Sequence, residues 1–254
     1  MEIRRNQPER EYRERPEKSQ SDWKWFYKKP TPLHAQQAIK DNEEEDEEKD
    51  CLLVGTCLHG EILEGKRLFE VDKRCKTKKN PPQPKEIILL SPFWAEAVSG
   101  MAEGIRRNPD AMCLLNDALE TEVSIFWDGM KARLDRVCSL GVLDLKSSGK
   151  SIDDWVFSKT ILELGYHFQG AHYLDAATVA KFPNENFFLI AVENFKPFAS
   201  KVHRLKHEAI AQGKRELERC KELYNECHKT GSFPGYEYNP DGIGLPKYAM
   251  KEID

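Results

Sequence analysis

The chain has 254 residues, 39% of them hydrophobic and 32% charged, the balance of a globular protein with one large or two small domains and polar extensions. The formal net charge of −4 gives no overall basic surface for nucleic acid, although a local basic stripe can coexist with an acidic total. No run of about 18 apolar residues offers a membrane-spanning helix, and the N-terminal MEIRRNQPEREYRERPEK has no apolar stretch behind its charges to make a secretory signal.

Residues 1–20 read as polar and partly mobile. Residues 21–39 carry Trp23, Trp25, Phe26 and Tyr27 and have something to bury. The run DNEEEDEEKD at 41–50 is too densely acidic to pack and reads as a solvated linker. These 50 residues form a polar N-terminal segment, with the main domain expected over 51–254. CLLVGTCLHGEILE (51–64) repeats apolar residues every four positions, a helical pattern. LFEVDKR (68–74) suggests a short strand, and the Lys- and Pro-rich stretch 75–85 a loop. A helix is expected over 91–109, ended before Pro109, then a short one over 110–119. Three strands follow. TEVSIFW (121–127) leads through Asp128-Gly129, a type I′ hairpin dipeptide, into MKARLDRVC (130–138). A turn at Ser139–Gly141 leads to VLDLKSS (142–148), closing an antiparallel meander. Residues 152–179 read as one helix or two, FFLIAVE (187–193) as a buried strand, and 200–229 as one long helix. The Gly-, Pro- and Tyr-rich tail wraps the surface. Seven cysteines form no CxxC pair, which points to reduced, mostly buried thiols in a cytosolic compartment rather than a metal cluster or disulfide framework. The order of elements predicts an α/β fold: a mixed central sheet with helices on both sides.

Alternation along a strand puts Asp144 and Lys146 on one face of 142–148, and Asp135 with Lys131, Arg133 and Val137 on one face of 130–138. Asp135, Asp144 and Lys146 can therefore meet on one side of the hairpin while the other side is apolar. Two carboxylates held close repel each other, unless a divalent cation sits between them. Magnesium binds through one or two carboxylates, waters and substrate phosphate, and a lysine beside it adds a fixed charge for a phosphate under attack. A carboxylate–lysine ladder on a surface strand is the ordinary alternative, but VLDLK is too apolar for a surface strand, and a charged pair within it needs a reason.

The order Asp135…Asp144-x-Lys146 resembles the PD-(D/E)XK nuclease motif, with LD in place of PD. GTCLHGEILE resembles the G-T-x-x-H segment of the RecB-like nucleases, and GYHFQGAHY their Q-x-x-x-Y motif. With KARLDR, LDLKSS, FFLIAVE and the closing G-x-F-P-G-Y and LPKYA, residues 19–250 are similar in order to the RecE-type exonucleases, exonuclease VIII and its phage relatives. The resemblance implies metal ligands at Asp135, Asp144 and the main-chain carbonyl of Leu145, with His59 as ligand or neighbour of the metal. Lys146 is then the catalytic lysine, Glu122 an acidic residue that could hold a second metal, and Gln169 with Tyr173 a pair that helps position DNA. It further implies Mg2+, replaceable by Mn2+, and an ATP-independent exonuclease acting on double-stranded DNA ends. Such an enzyme degrades the 5′-ended strand and leaves a 3′ single strand for recombination. It forms a homo-oligomeric ring and works with a single-strand annealing protein. A structure-specific or restriction-like endonuclease with the same metal site, and a catalytically dead DNA-binding subunit, are the alternatives.

Overall fold

The computed structural model describes residues 1–45, 50–83 and 87–243. The chain opens with β1 (Glu2–Arg4), α1 (Glu9–Arg13), α2 (Gln20–Lys28), α3 (Pro32–Glu45) and α4 (Asp50–Leu63). Two short strands, β2 (Phe69–Val71) and β3 (Ile88–Leu90), pair in parallel. Then come α5 (Pro92–Arg106) and α6 (Pro109–Asn116), and the meander β4 (Ala118–Trp127), β5 (Met130–Cys138) and β6 (Gly141–Ser148). α7 (Asp154–Leu164), α8 (Tyr166–Val179), β7 (Phe187–Glu193), β8 (Ser200–Arg204) and α9 (His207–Thr230) complete the order.

Local chemistry sets these boundaries. Ser91 and Asn108 cap α5 and α6, each followed by proline at the first helical position. Asp153 caps α7 through the amides of Trp155 and Val156. Gly165, at φ 70°, ends α7 and starts α8, so residues 152–179 hold two helices. Asp128 (φ 44°) and Gly129 (φ 74°) both take the left-handed conformation of the expected I′ turn.

The main sheet has the order β1-β4-β5-β6-β7-β8. All its pairs are antiparallel except β6–β7, which is parallel, so the expected mixed sheet is present. One face packs Cys138, Leu143, Leu145, Ile190 and Val192 against α4, α5 and α6. The other packs Val123, Leu134, Val137, Val142 and Leu189 against α7 and α8. A third cluster joins Trp23 and Phe26 of α2 to Phe168 of α8 and Leu217 and Cys220 of α9.

Three expectations are corrected. Residues 200–204 are not the start of a long helix. They form β8, because their backbone pairs with β7 from Phe188 to Val192; Val202 falls in helical spacing with the α9 stripe by coincidence and packs from β8 onto the first core cluster. The N-terminal segment is not loose: β1 pairs with β4, and Lys131 of β5 donates to the carbonyls of Tyr12, Arg13 and Arg15. The acidic run is helical through Glu45; its residues 46–49, and the LPKYA motif in the tail, lie outside the described residues. Up to residue 243 the tail follows the surface, with the Leu33 amide donating to the Pro234 carbonyl at 3.1 Å. All seven cysteines are free thiols.

Candidate metal centre

The site forms where β5 and β6 part. Their ladder holds only at Arg136–Leu143, Val137–Val142 and Cys138–Gly141. The next two residues that would face each other are Asp135 and Asp144, and there the strands diverge. The main-chain groups of Leu145, turned toward the gap, are taken up by side chains. Its N–H donates to Asp135 Oδ2 at 3.0 Å, and its carbonyl accepts from His59 Nε2 at 3.0 Å. On the other side of β5 the ladder to β4 skips the Glu122–Asp135 pair, and Glu122 has φ 48°, a conformation few non-glycine residues adopt. Alternation breaks here too. Leu134 and Val137, three residues apart, pack into the same apolar layer, so Val137 does not share the face of Asp135 as strand periodicity predicts.

A cleft of about 1240 Å³ opens over this gap, lined by His59, Glu122, Arg133, Asp135, Leu145, Lys146, Tyr166 and Tyr173. α4 supplies His59 from the face that also presents Cys51, Leu52, Gly55 and Thr56 to the cleft. The opposite wall is the N-terminal segment, including Gln7, Glu9 and Tyr12. Arg133 staples that wall in place. It donates to Glu122 Oε2 (2.9 Å), Glu9 Oε2 (2.8 Å) and the Gln7 carbonyl (2.9 Å).

His59, Glu122 and Asp135 each offer a ligand atom within 4.8 Å of the others. His59 Nδ1 lies 3.5 Å from Asp135 Oδ2 and 3.9 Å from Glu122 Oε1. Asp144, only 1% exposed, lies beneath the cleft floor. Its Oδ1 accepts from Gln169 Nε2 at 2.9 Å, and its Oδ2 is 2.6 Å from Lys146 Nζ. Lys146 also sits 5.1 Å from the Tyr166 ring centroid. Of the residues expected to form the site, His59, Asp135, Leu145, Glu122 and Lys146 therefore converge on the cleft. Gln169 contacts the carboxylate of Asp144, and Tyr173 lines the cleft on the same helix, α8.

The electrostatics match a cation site. Burial and the neighbouring Asp135 raise Asp144 to about 6, against the pull of Lys146. Burial likewise raises Asp135, against His59. His59 is itself opposed by burial, but Asp135 and Glu122 outweigh it and lift it to about 9. Lys146, also penalised by burial, is raised above the ordinary lysine value by Asp144 and Asp135. Arg133 thus faces Glu122, and Lys146 faces Asp144. Asp135 makes no ion pair with a lysine or arginine among the described residues; its nearest positive neighbour is the imidazole, with Lys146 acting on it from further off. Oxygen ligands gathered with one imidazole in a desolvated gap suit a divalent cation. Asp135, Glu122, His59 and the Leu145 carbonyl would hold it, with Asp144 alongside.

Two cations lay outside the expected set. Arg133 was visible only as a residue two positions before Asp135 on the same strand face. Lys24 of α2 carries no motif. Burial, then Lys28 and Lys146, push its pKa down to about 8, so it belongs electrostatically to the same site.

Carboxylates and a lysine at the parting of a meander, in a mixed sheet with helices on both faces, define the PD-(D/E)XK class of fold. The chain belongs to the family described as "PDDEXK-like domain of unknown function (DUF3799)", whose model matches residues 19–239. It is also similar to a solved structure from Eubacterium rectale described as "Putative exonuclease", with 15% identity over 88% of this chain and 91% of that one, and a TM-score of 0.58. No curated protein matches the chain.

Proposed function

We propose that this chain is a divalent-metal-dependent deoxyribonuclease that degrades double-stranded DNA from its ends. The observation that carries the reading is the convergence of Asp135, His59 and the Leu145 carbonyl within one cleft, beside the Lys146–Asp144 pair. When bound, Mg2+ or Mn2+ would polarise a phosphate and lower the pKa of attacking water. Asp135 and His59 would fix the cation, and Glu122 would lie at its edge. Lys146, anchored by Asp144 and half-buried at the cleft, offers its ammonium to the charge growing on the phosphate. Gln169 holds Asp144 still, so Lys146 keeps a fixed anchor. Tyr173, whose pKa burial and then Asp144 raise well above 10, stays a neutral phenol at working pH and can donate a hydrogen bond to a phosphate oxygen.

The finer reading is exonuclease action on the 5′-ended strand, leaving a 3′ single strand for recombination. It is supported by the resemblance of the four motifs to RecE-type enzymes and by the description of the Eubacterium rectale protein as an exonuclease. A homo-oligomeric ring and a single-strand annealing partner follow from the same resemblance. The test is a linear duplex labelled on one strand end at a time, with and without Mg2+. Metal-dependent loss of the 5′-ended strand alone is the expected result. Internal cuts would keep the metal centre and replace exonuclease with endonuclease, and no cleavage with Mg2+ or Mn2+ would overturn the nuclease reading.

A further inference from the structure

The sequence KRCKTKK at 73–79 places five cations in seven residues, in a chain whose net charge is −4. Lys73, Arg74, Lys76, Lys78 and Lys79 are all exposed. Arg74 pairs with Asp72; the four lysines make no ion pair with any described residue, and Lys78 Nζ stands 4.7 Å from the Phe93 ring centroid. Like charges this dense repel one another, and a loop with no other role would shed them into solvent. Here the backbone is fixed instead. Cys75 Sγ donates to the Lys79 carbonyl at 3.1 Å, and Ser91 Oγ donates to the Lys78 carbonyl at 3.1 Å. Asn80 closes the loop, its Oδ1 accepting from the Ser91 amide (2.9 Å) and its own amide donating to Asp50 Oδ1 (3.2 Å).

That last bond sets the position. Asp50 is the first residue of α4, and the next two, Cys51 and Leu52, already line the cleft. His59 lies nine residues further along the same helix, about 14 Å at about 1.5 Å per residue. A nucleic-acid strand rises about 3.4 Å per nucleotide, so the loop's anchor at Asp50, beside the cleft's edge, stands about four nucleotides from His59 along α4.

We propose that residues 73–79 form a preorganised grip on the phosphate backbone of DNA lying in the cleft, about four nucleotides from the bond that is cut. This rests on the nuclease reading and extends it. Phosphate contacts of this kind set register and affinity without reading sequence. The experiment compares the full chain with a variant carrying Lys73→Ala, Lys76→Ala, Lys78→Ala and Lys79→Ala. A control variant loses the same number of exposed cations from α9 and the residue before it: Lys206→Ala, Arg215→Ala, Arg219→Ala and Lys229→Ala. Binding of a linear duplex is measured by fluorescence anisotropy over a salt series, with Ca2+ replacing Mg2+. Every phosphate that the protein ceases to neutralise flattens the slope of log K against log salt by about 0.9. The loop variant should flatten by about 2 to 4 and the control by less than about 1, while Mn2+ affinity by calorimetry and the melting temperature stay unchanged in both. Equal slopes in the loop variant and the parent chain would overturn the grip, as would equal flattening in the control. A parent chain that neither binds nor cuts duplex would overturn the nuclease reading itself.

Discussion

Lys146 stands between two needs. Its ammonium neutralises Asp144, which is almost fully buried, and it faces the cleft where a phosphate would sit. Lys146→Ala should lower the cleavage rate by about 10²- to 10³-fold, the cost of losing one preorganised charge at a developing anion. Mn2+ affinity by calorimetry should persist, because Asp135, His59 and the Leu145 carbonyl are untouched. A variant that still cuts at the parent rate removes Lys146 from the mechanism. His172 makes a different point. It is fully buried between Trp23 and Trp127, and its Nε2–H donates to the Lys131 carbonyl at 2.9 Å. Burial and the nearby Lys221 charge hold its pKa down to about 4. The folded state therefore refuses a proton that the unfolded chain accepts at its ordinary pKa of 6.5. Stability is complete above pH 6.5 and is lost as pH falls toward 4, by up to about 3 kcal/mol. His172→Gln keeps a donor for the carbonyl and should flatten that loss in urea melts at pH 7 and pH 4.

At the scale of elements, Glu122 shows what strand periodicity leaves out. The sequence marked β4, β5 and β6 and the hairpin between the first two, because alternating apolar residues and Asp128-Gly129 act locally. It placed Asp144 and Lys146 on one face for the same reason. The parting of β5 from β6 was not legible. It depends on His59 of α4 and on the Asp135 carboxylate, which take up the main-chain groups of Leu145; across β5, Glu122 holds a left-handed backbone that costs about 1–2 kcal/mol in a residue with a Cβ. That conformation separates two effects. Glu122→Ala and Glu122→Gly both remove the carboxylate and should weaken Mn2+ binding alike. Glu122→Gly should be the more stable of the two, by about 1 kcal/mol in thermal unfolding. Equal melting temperatures would mean the strand relaxes once Glu122 is gone. β8 was missed for a related reason: five residues at a sheet edge, next to a long amphipathic helix, share its spacing, and only pairing with β7 tells them apart.

For the whole molecule, the N-terminal residues complete the cleft although the chemistry lies far later in the chain. Composition alone could not show this, since Arg- and Glu-rich segments read as solvated. Their docking depends on Lys131 and Arg133, two cations of β5 that meet backbone carbonyls and Glu9. Lys131→Met should free α1 without disturbing the sheet. Trypsin should then cut at Arg10 and Arg13 several-fold faster than in the parent chain, with the melting temperature of the core little changed. Unchanged cutting would mean that β1 and the Arg133 contacts hold the segment without Lys131. No described helix is long and apolar enough to cross a membrane.

The staple between Arg133 and Glu9 joins residues 124 positions apart, and this has a consequence for how the protein acquires activity. Contacts of such separation pay their loop-closure entropy late and form slowly. The meander, its turns and the helix pairs around it are local and can assemble first. The cleft wall should therefore dock onto a sheet already built, so that a refolding chain recovers its buried tryptophan signal before it recovers a closed cleft. Competence would then lag behind compactness, and the protein would pass through a folded but still open form on its way to the native state.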